Sequence, residues 1–290
     1  MKWAKRSLAA LAVLALLSYG GITAYVYAKQ GQIVYIPTRT IEHTPREFGL
    51  PYEELRLPVK RAVGTTAGIS EKITAWWIPA PQPNGISELF LHGNARNMST
   101  RLNVEKMAAL AHAGFNVLAI DYRGYGSSEG GRPYEAALYE DAGAALDELE
   151  RREPDKGKRL IHGHSLGAAV AIDLAVRRPE AAALLAESGF DSMLGMSTIR
   201  AAYKLLPIDL ILTERFDSID KVTQLKLPVL YMHGTTDPLI PAVMSERLYG
   251  ATPPGDKRLL LIAGGVHSNL HRFPQYIPAV RDLVRLPALK

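Results

Sequence analysis

The sequence contains no cysteine, and its first 30 residues contain no acidic side chain. Without thiols, the chain has no disulfide scaffold, thiolate metal site, iron–sulfur ligation or cysteine nucleophile. The formal net charge is +5, and four basic residues lie among the first 30, which leaves only +1 for residues 31–290. A basic charge confined to one end of the chain does not indicate nucleic-acid binding, so we expect no nucleic-acid partner.

The uncharged N-terminal stretch predicts a membrane anchor within residues 1–30. After Lys2, Lys5 and Arg6, residues 7–28 carry no charge, and 22 helical residues at 1.5 Å each span a hydrocarbon core of about 30 Å. The alternative is a cleaved secretory signal, which would leave a secreted or periplasmic protein. Residues 18–25 remain apolar and aromatic beyond the usual signal core, which favours a single-pass anchor. Because a short basic tail stays in the cytoplasm, we expect the large domain, residues 31–290, to lie on the extracytoplasmic side.

Strand-like and helix-like segments alternate beyond the anchor. Short apolar runs predict strands at 55–59, 73–78, 89–92, 115–120, 160–164, 183–186, 229–233 and 258–262. Amphipathic patterns predict helices at 98–113, 134–152, 167–178, 241–249 and 275–285. This alternation indicates an α/β fold with a mostly parallel central sheet and helices on both faces.

Residues 189–222 interrupt the alternation with an apolar segment that has no strand signal. A connection of this length is unlike an ordinary loop. We predict a small helical cap over a site at the carboxyl ends of the strands. Its candidate substrate-binding residues are Met193, Met196, Leu205 and Leu206.

Ser165 lies in the sequence Gly-His-Ser-Leu-Gly, between an apolar run and a segment with helical character. The surrounding pattern predicts a strand–turn–helix elbow, in which small flanking residues leave room for a strained nucleophile. A second match, Gly126-Ser127-Ser128-Glu129-Gly130, lies among other glycines without a strand before it. We therefore predict Ser165 as the nucleophile and Ser128 as a loop residue.

A serine nucleophile needs a base and an acid that orients the base, in the chain order Ser, acid, His for this type of elbow. His267 follows the last predicted strand on a glycine-rich loop and is the predicted base, with His271 as the alternative. Asp237 follows the strand at 229–233 and is the predicted acid, with Asp191 as the alternative. His233, at a strand end, is expected to be structural, and Asp209, Asp217 and Asp220 are expected on the cap surface.

An acyl-transfer site also needs two donors for the oxyanion. We predict the backbone N–H groups of Leu166, directly after the nucleophile, and of Asn94, in the loop that begins His92-Gly93. His162 and His164 have the spacing of a metal-binding pair on one face of a strand. Because we expect no acidic third ligand near them, we predict no metal site and no cofactor.

Six motifs carry a resemblance to the α/β-hydrolase superfamily: LHGNARN (91–97), AIDYRGYGSSEG (119–130), GHSLG (163–167), ESGFDS (187–192), HGTTDPLIP (233–241) and GGVHSN (264–269). The chain resembles membrane-anchored members described as hydrolase-domain or serine-aminopeptidase-like proteins. The resemblance implies the α/β-hydrolase fold, a triad of Ser165, Asp237 and His267, and oxyanion donors at Asn94 and Leu166.

Three functional classes follow. The favoured one is a serine hydrolase that cleaves carboxylic or lipid esters through an acyl-enzyme, because the cap is apolar and the chain has an anchor. A peptidase or amidase of the serine-aminopeptidase type is the second, and it would need a group such as Glu187 or Asp191 to bind a free amine. A non-catalytic membrane protein that retains the fold is the third.

Overall fold

A computed structural model describes residues 2–60 and 70–286 of the chain. The strands are β1 (Ile36–Pro37), β2 (Glu53–Lys60), β3 (Ser70–Ile78), β4 (Ser87–Leu91), β5 (Ala95–Arg96), β6 (Asn116–Asp121), β7 (Arg159–His164), β8 (Ala183–Glu187), β9 (Val229–Gly234) and β10 (Lys257–Ile262). The α-helices are α1 (Lys2–Val34), α2 (Arg101–His112), α3 (Glu135–Arg152), α4 (Leu166–Arg177), α5 (Met193–Ile199), α6 (Ile208–Ile211), α7 (Ser218–Lys221), α8 (Val243–Ala251) and α9 (Tyr276–Leu283). Short 3₁₀ helices lie at Pro45–Phe48, Lys156–Lys158, Ala201–Leu205, Val222–Gln224 and Leu270–Arg272.

Within the described ranges, eight strands form the central sheet in the order β10-β9-β8-β7-β4-β6-β3-β2. The six strands from β10 to β6 are parallel, whereas β3 pairs antiparallel with both β6 and β2. All eight predicted strands and all five predicted helices are present, with ends within three residues of the predicted ones. The fold class predicted from the sequence is confirmed.

Side chains along each buried strand alternate between two hydrophobic clusters, one on each face of the sheet. On β4, Leu89 and Leu91 belong to the cluster that α3, α4 and α8 cover, whereas Phe90 belongs to the cluster that α2 and α9 cover. This arrangement explains why the strands appear in the sequence as continuous apolar runs, since both faces are buried.

Residues 189–222, all of which the structure describes, contain no strand and fold into α5, α6, α7 and short 3₁₀ segments. The segment leaves the carboxyl end of β8 and returns to β9. It packs on the domain through Phe216, whose ring contacts Tyr35 and Tyr139 at centroid distances of 6.3 and 5.8 Å. A helical segment therefore stands at the carboxyl edge of the sheet, where a cap was predicted.

Helix α1 is longer than the predicted anchor and continues to Val34, so the predicted boundary at residue 30 lies inside it. Its apolar part projects from the domain, and side chains such as Leu8, Leu14 and Ile22 are exposed. Among the described residues, α1 is the one helix long and apolar enough to cross a membrane. Its last turn is different, because Val34 and the following Tyr35 are buried in the core.

Candidate active site

Ser165 occupies a strained turn between β7 and α4. Its backbone has φ 58° and ψ −121°, a positive-φ conformation that residues other than glycine rarely adopt. The flanking glycines are required by close approach: a Cβ on Gly163 would lie 2.1 Å from the carbonyl oxygen of Gly167, and one on Gly167 would lie 2.0 Å from that of Leu91. The Gly-x-Ser-x-Gly pattern is thus a packing requirement of the elbow, which presents Ser165 at the strand end.

Ser165, His267 and Asp237 form a hydrogen-bonded chain. The Nε2 atom of His267 is 2.9 Å from Ser165 Oγ, and its Nδ1 atom is 2.7 Å from Asp237 Oδ2. Because β7, β9 and β10 are parallel, the loops after them meet at one edge of the sheet and bring together residues that are far apart in sequence. The geometry suits transfer of the hydroxyl proton to His267.

The carboxylate of Asp237 accepts four hydrogen bonds. Its Oδ1 accepts from the backbone N–H groups of Leu239 and Ile240, at 2.8 and 3.0 Å, and its Oδ2 accepts from His233 Nε2, at 3.1 Å, besides His267. Burial alone would raise the pKa of Asp237, but the hydrogen bonds from His233 and His267 outweigh burial and hold it well below its usual value. Asp237 is therefore ionised at neutral pH and can stabilise a protonated His267.

The main chain of His267 is held by two side chains that sequence reasoning missed. His164 Nε2 and Ser188 Oγ both donate to the carbonyl oxygen of His267, each at 2.9 Å. Burial, together with the nearby charge of Lys106, lowers the pKa of His164 well below its ordinary value, so its ring is neutral. These bonds tie the His267 loop to the ends of β7 and β8 and fix the position of His267 relative to Ser165.

The two predicted oxyanion donors lie on either side of the elbow. Leu166 is the first residue of α4, where backbone N–H groups have no partner within the helix. Asn94 lies in the loop after β4, and Gly93 allows this loop to approach, because a Cβ there would be 3.2 Å from Ser165 Cβ.

The loop that carries Asn94 is braced from three sides. The carbonyl oxygen of Asn94 accepts hydrogen bonds from the backbone N–H of Ile36, at 3.1 Å, and from the hydroxyl of Tyr125, at 2.8 Å. Its side-chain amide donates to the carbonyl of Val34, at 2.8 Å. The end of α1 therefore helps to position a predicted oxyanion donor.

Ser128, in the second Gly-x-Ser-x-Gly match, lies in a buried loop away from this chain of hydrogen bonds. Its Oγ accepts from the backbone N–H of Thr74, at 2.8 Å, and donates to the carbonyl of Asp121, at 2.6 Å. The structure gives Ser128 a bracing role, in agreement with the sequence-based expectation.

The alternative base and acid make other contacts. His271 lies 3.5 Å from Glu105, and Asp191 pairs with Arg247 at 3.0 Å. On the cap, Arg215 pairs with Asp209 and Asp217, and Asp220 lies on α7. His233 contacts Asp237 and Ser245, consistent with a structural role.

The expectation that no acid lies near His162 is wrong. His162 is buried between Glu88 and Glu187, at 2.6 and 3.0 Å, and Glu187 also pairs with the buried Lys106. Burial alone would lower the pKa of His162, but the two carboxylates outweigh it and raise the pKa. These residues form a buried ionic network, and no group of three or more histidine or carboxylate side chains among the described residues is arranged so that it could hold a metal ion.

An apolar cavity of about 330 Å³ lies between the cap and the end of α1. Of the four candidate substrate-binding residues, Met193 and Met196 line this cavity, whereas Leu205 and Leu206 do not, and Leu205 is 79% exposed. The opposite wall comes from α1, which sequence reasoning treated as an anchor only: Val26, Gln30, Ile33 and Val34. A second cavity is lined by Ser165 and His267, and Asn94 lines both, so the two cavities are neighbours at this residue.

The model of the alpha/beta hydrolase family matches residues 89–288. An uncharacterised protein of Mycobacterium tuberculosis is 34% identical over 266 residues, covering 91% of this chain and 89% of its own length. Protein bem46 of Schizosaccharomyces pombe is 30% identical, covering 91% of this chain and 88% of its own length. An esterase of Pyrococcus furiosus has the same fold, with a TM-score of 0.67 and 19% identity over 86% of this chain and 98% of its own. The chain belongs to the α/β-hydrolase family.

Proposed function

We propose that this protein is a serine hydrolase that cleaves carboxylic esters through an acyl-enzyme. Ser165 is the nucleophile, His267 the general base and Asp237 the acid that orients it. The observation that carries the proposal is the hydrogen-bonded chain of these three residues on a strained elbow, 2.9 and 2.7 Å between successive partners. Backbone strain at a serine that two tightly packed glycines flank is typical of a nucleophile elbow.

The reaction proceeds in two balanced halves. Ser165 Oγ attacks the ester carbonyl carbon while His267 Nε2 takes its proton, and the resulting oxyanion accepts hydrogen bonds from the backbone of Asn94 and Leu166. The intermediate collapses, the alkoxide leaves with the proton from His267, and an acyl-enzyme remains. Water then attacks the acyl carbonyl by the same route, which releases the carboxylic acid and restores Ser165.

Ester hydrolysis is favoured over peptidase activity by the state of the two carboxylates near the strand end. Glu187 is buried and bonded to Lys106, His162 and Tyr276, and Asp191 pairs with Arg247. Neither carboxylate has the freedom that binding of a substrate amine requires. Labelling by a fluorophosphonate probe tests for a serine hydrolase, and a panel of acyl esters against aminoacyl amides then tests the preference for esters.

We further propose that α1 anchors the enzyme in a membrane, with the catalytic domain on the extracytoplasmic side. The exposed apolar part of α1 and the basic residues ahead of it support this arrangement. Recovery of a native mature N-terminus near Lys29 would instead establish signal cleavage and refute the anchor.

Removal of residues 1–24 is expected to give a soluble, folded and active domain. The deleted part of α1 projects from the domain, whereas Val26, Gln30 and Val34, which line the cavity, are retained. The measurements are size-exclusion chromatography, thermal unfolding and fluorophosphonate labelling of the truncated protein. A truncated protein that aggregates or is not labelled would show that the deleted part of α1 belongs to the fold.

The truncated domain should also prefer medium-chain esters. Each methylene buried in the apolar cavity contributes at most about 0.8 kcal/mol, roughly fourfold in kcat/KM. We expect kcat/KM for p-nitrophenyl octanoate to exceed that for the butyrate by about ten- to a hundredfold, since a cavity captures part of the ceiling for four methylenes. Esters are assayed below their micelle-forming concentrations. A flat profile, or a fall with increasing chain length, would contradict an acyl-binding role for the cavity.

A further inference from the structure

The end of α1 is fixed to the cap by specific hydrogen bonds. Gln30 donates through Nε2 to the carbonyl of Ile211, at 3.2 Å, and accepts at Oε1 from the backbone N–H of Thr213, at 2.7 Å. The next turn is held as well, because Tyr35 bonds to Glu214 and the carbonyl of Val34 accepts from Asn94. A flexible tether would not need these contacts. The last turns of α1, the proposed anchor helix, are therefore part of the catalytic domain.

The helical wall of the cavity begins inside the apolar span. Residues 7–28 carry no charge, and Val26, which lines the cavity, lies within this stretch. In the anchor proposed above, the hydrocarbon core ends near Ala28, where the uncharged stretch ends. Gln30 lies about 3 Å further along the helix axis, which puts its bond to Ile211 near the membrane–water boundary of that arrangement. The cavity wall from Val26 to Val34 thus crosses this boundary, which places the cavity at the surface of the hydrocarbon core.

The cap exposes apolar side chains at this end of the molecule. Leu205 and Leu210 are 79% and 85% exposed, and Leu210 neighbours Ile211, which bonds to Gln30 on α1. Such side chains are unfavourable in water and stabilising against lipid. Continuity with the membrane-spanning helix favours the bilayer as their partner over a second protein.

We propose that the cavity between α1 and the cap receives the acyl chain of a lipid ester directly from the bilayer and delivers its carbonyl to Ser165. This inference rests on the proposed function and names its substrate class: an acyl ester dissolved in the membrane. The path runs from Val26 at the lipid boundary, past Met193 and Met196, to Asn94, which also lines the cleft that contains Ser165. In this arrangement α1 holds the enzyme at the membrane and also determines which substrates reach the site.

The test uses the full-length protein in phosphatidylcholine nanodiscs with two substrates. One is 4-methylumbelliferyl oleate dissolved in the lipid, and the other is p-nitrophenyl acetate in water. Val26→Trp fills the cavity from α1, and Ala28→Trp is the matched control, because Ala28 is exposed on the same helix and does not line the cavity. Substrate partition into the lipid is the same for both variants, so the ratio of the two rates isolates access to the cavity.

Val26→Trp is expected to lower the ratio of oleate to acetate hydrolysis at least about tenfold, since an indole displaces two or more methylenes worth up to about fourfold each. Ala28→Trp should leave both rates within twofold. Met196→Trp, which fills the cavity from the cap, should repeat the effect, with the exposed Thr198→Trp as its control. The second pair keeps the test valid if a substitution in α1 disturbs folding.

An unchanged ratio in both filling variants, or an equal loss with the control substitutions, would refute entry from the bilayer while leaving the hydrolase intact. A wild-type protein without Ser165-dependent acetate hydrolysis would refute the proposed function itself, and the inference with it. The acetate reaction therefore separates the two failures.

Discussion

Replacement of Ser165 by alanine is expected to abolish fluorophosphonate labelling and to lower kcat for ester hydrolysis on the order of 10⁶-fold. In the proposed mechanism the Ser165 hydroxyl oxygen forms the acyl-enzyme, and His267 and Asp237 act only through it, so neither of them can compensate for its loss. The substitution removes one oxygen at a position already strained at φ 58° and should leave the fold intact. Probe labelling and ester turnover of the full-length protein measure the effect.

Ser128→Ala is the matched control, because Ser128 lies in the same sequence pattern and is also buried. We expect kcat within a few fold of the wild type. Loss of the Ser128 hydroxyl leaves the backbone N–H of Thr74 without this partner. The free energy of unfolding should therefore fall by about 1–3 kcal/mol. Ser128→Ala should therefore lower thermal stability and Ser165→Ala should lower activity. An exchange of these two phenotypes would overturn the assignment of the nucleophile.

The elbow could be predicted from the sequence because its requirements are local. Gly163 and Gly167 flank Ser165 within two residues, and each is needed for contacts within β7, α4 and the neighbouring β4. The strands could be predicted for a similar reason, since burial on both faces produces apolar runs that are visible without knowledge of the partners.

The supports of the site could not be predicted in the same way. His164 and Ser188 hold the carbonyl of His267 across separations of 103 and 79 residues. The acids beside His162 depend on which strands are neighbours, and the sequence order places neither β4 nor β8 next to β7 without the sheet topology. Strand alternation predicts the face of a side chain, but not the residue opposite it.

The cavity illustrates a further limit. The apolar residues of the cap suggested four lining side chains, but in short helices apolar character does not reveal orientation, and Leu205 points to the exterior. The other wall comes from α1. Gln30 holds α1 against the cap by hydrogen bonds to residues about 180 positions later in the chain. An uncharged 22-residue stretch is explained fully by a membrane span, so nothing in it indicates a second role.

Asp237→Asn is the second substitution expected to have a large effect, because it changes the tautomer of the base. In the native protein, Asp237 Oδ2 accepts from both His267 Nδ1 and His233 Nε2. The side-chain oxygen of an asparagine can still accept the hydrogen bonds from the backbone N–H groups of Leu239 and Ile240. Its NH₂ group then faces the two histidines as a donor, so Nδ1 of His267 must become an acceptor. The proton moves to Nε2, which faces Ser165 and can no longer take the hydroxyl proton.

We therefore expect Asp237→Asn to lower kcat by about 10⁴-fold at neutral pH, the size of effect that a wrong histidine tautomer produces in serine proteases. The fold should be retained, since the side chain keeps its shape, and circular dichroism with thermal unfolding checks this. Asp191→Asn is the matched control: Asp191 was the alternative acid in the sequence, but it pairs with Arg247 rather than with a histidine. Its kcat should stay within a few fold. A larger loss for Asp191→Asn than for Asp237→Asn would show that the acid acts from the end of β8 and not from the loop after β9.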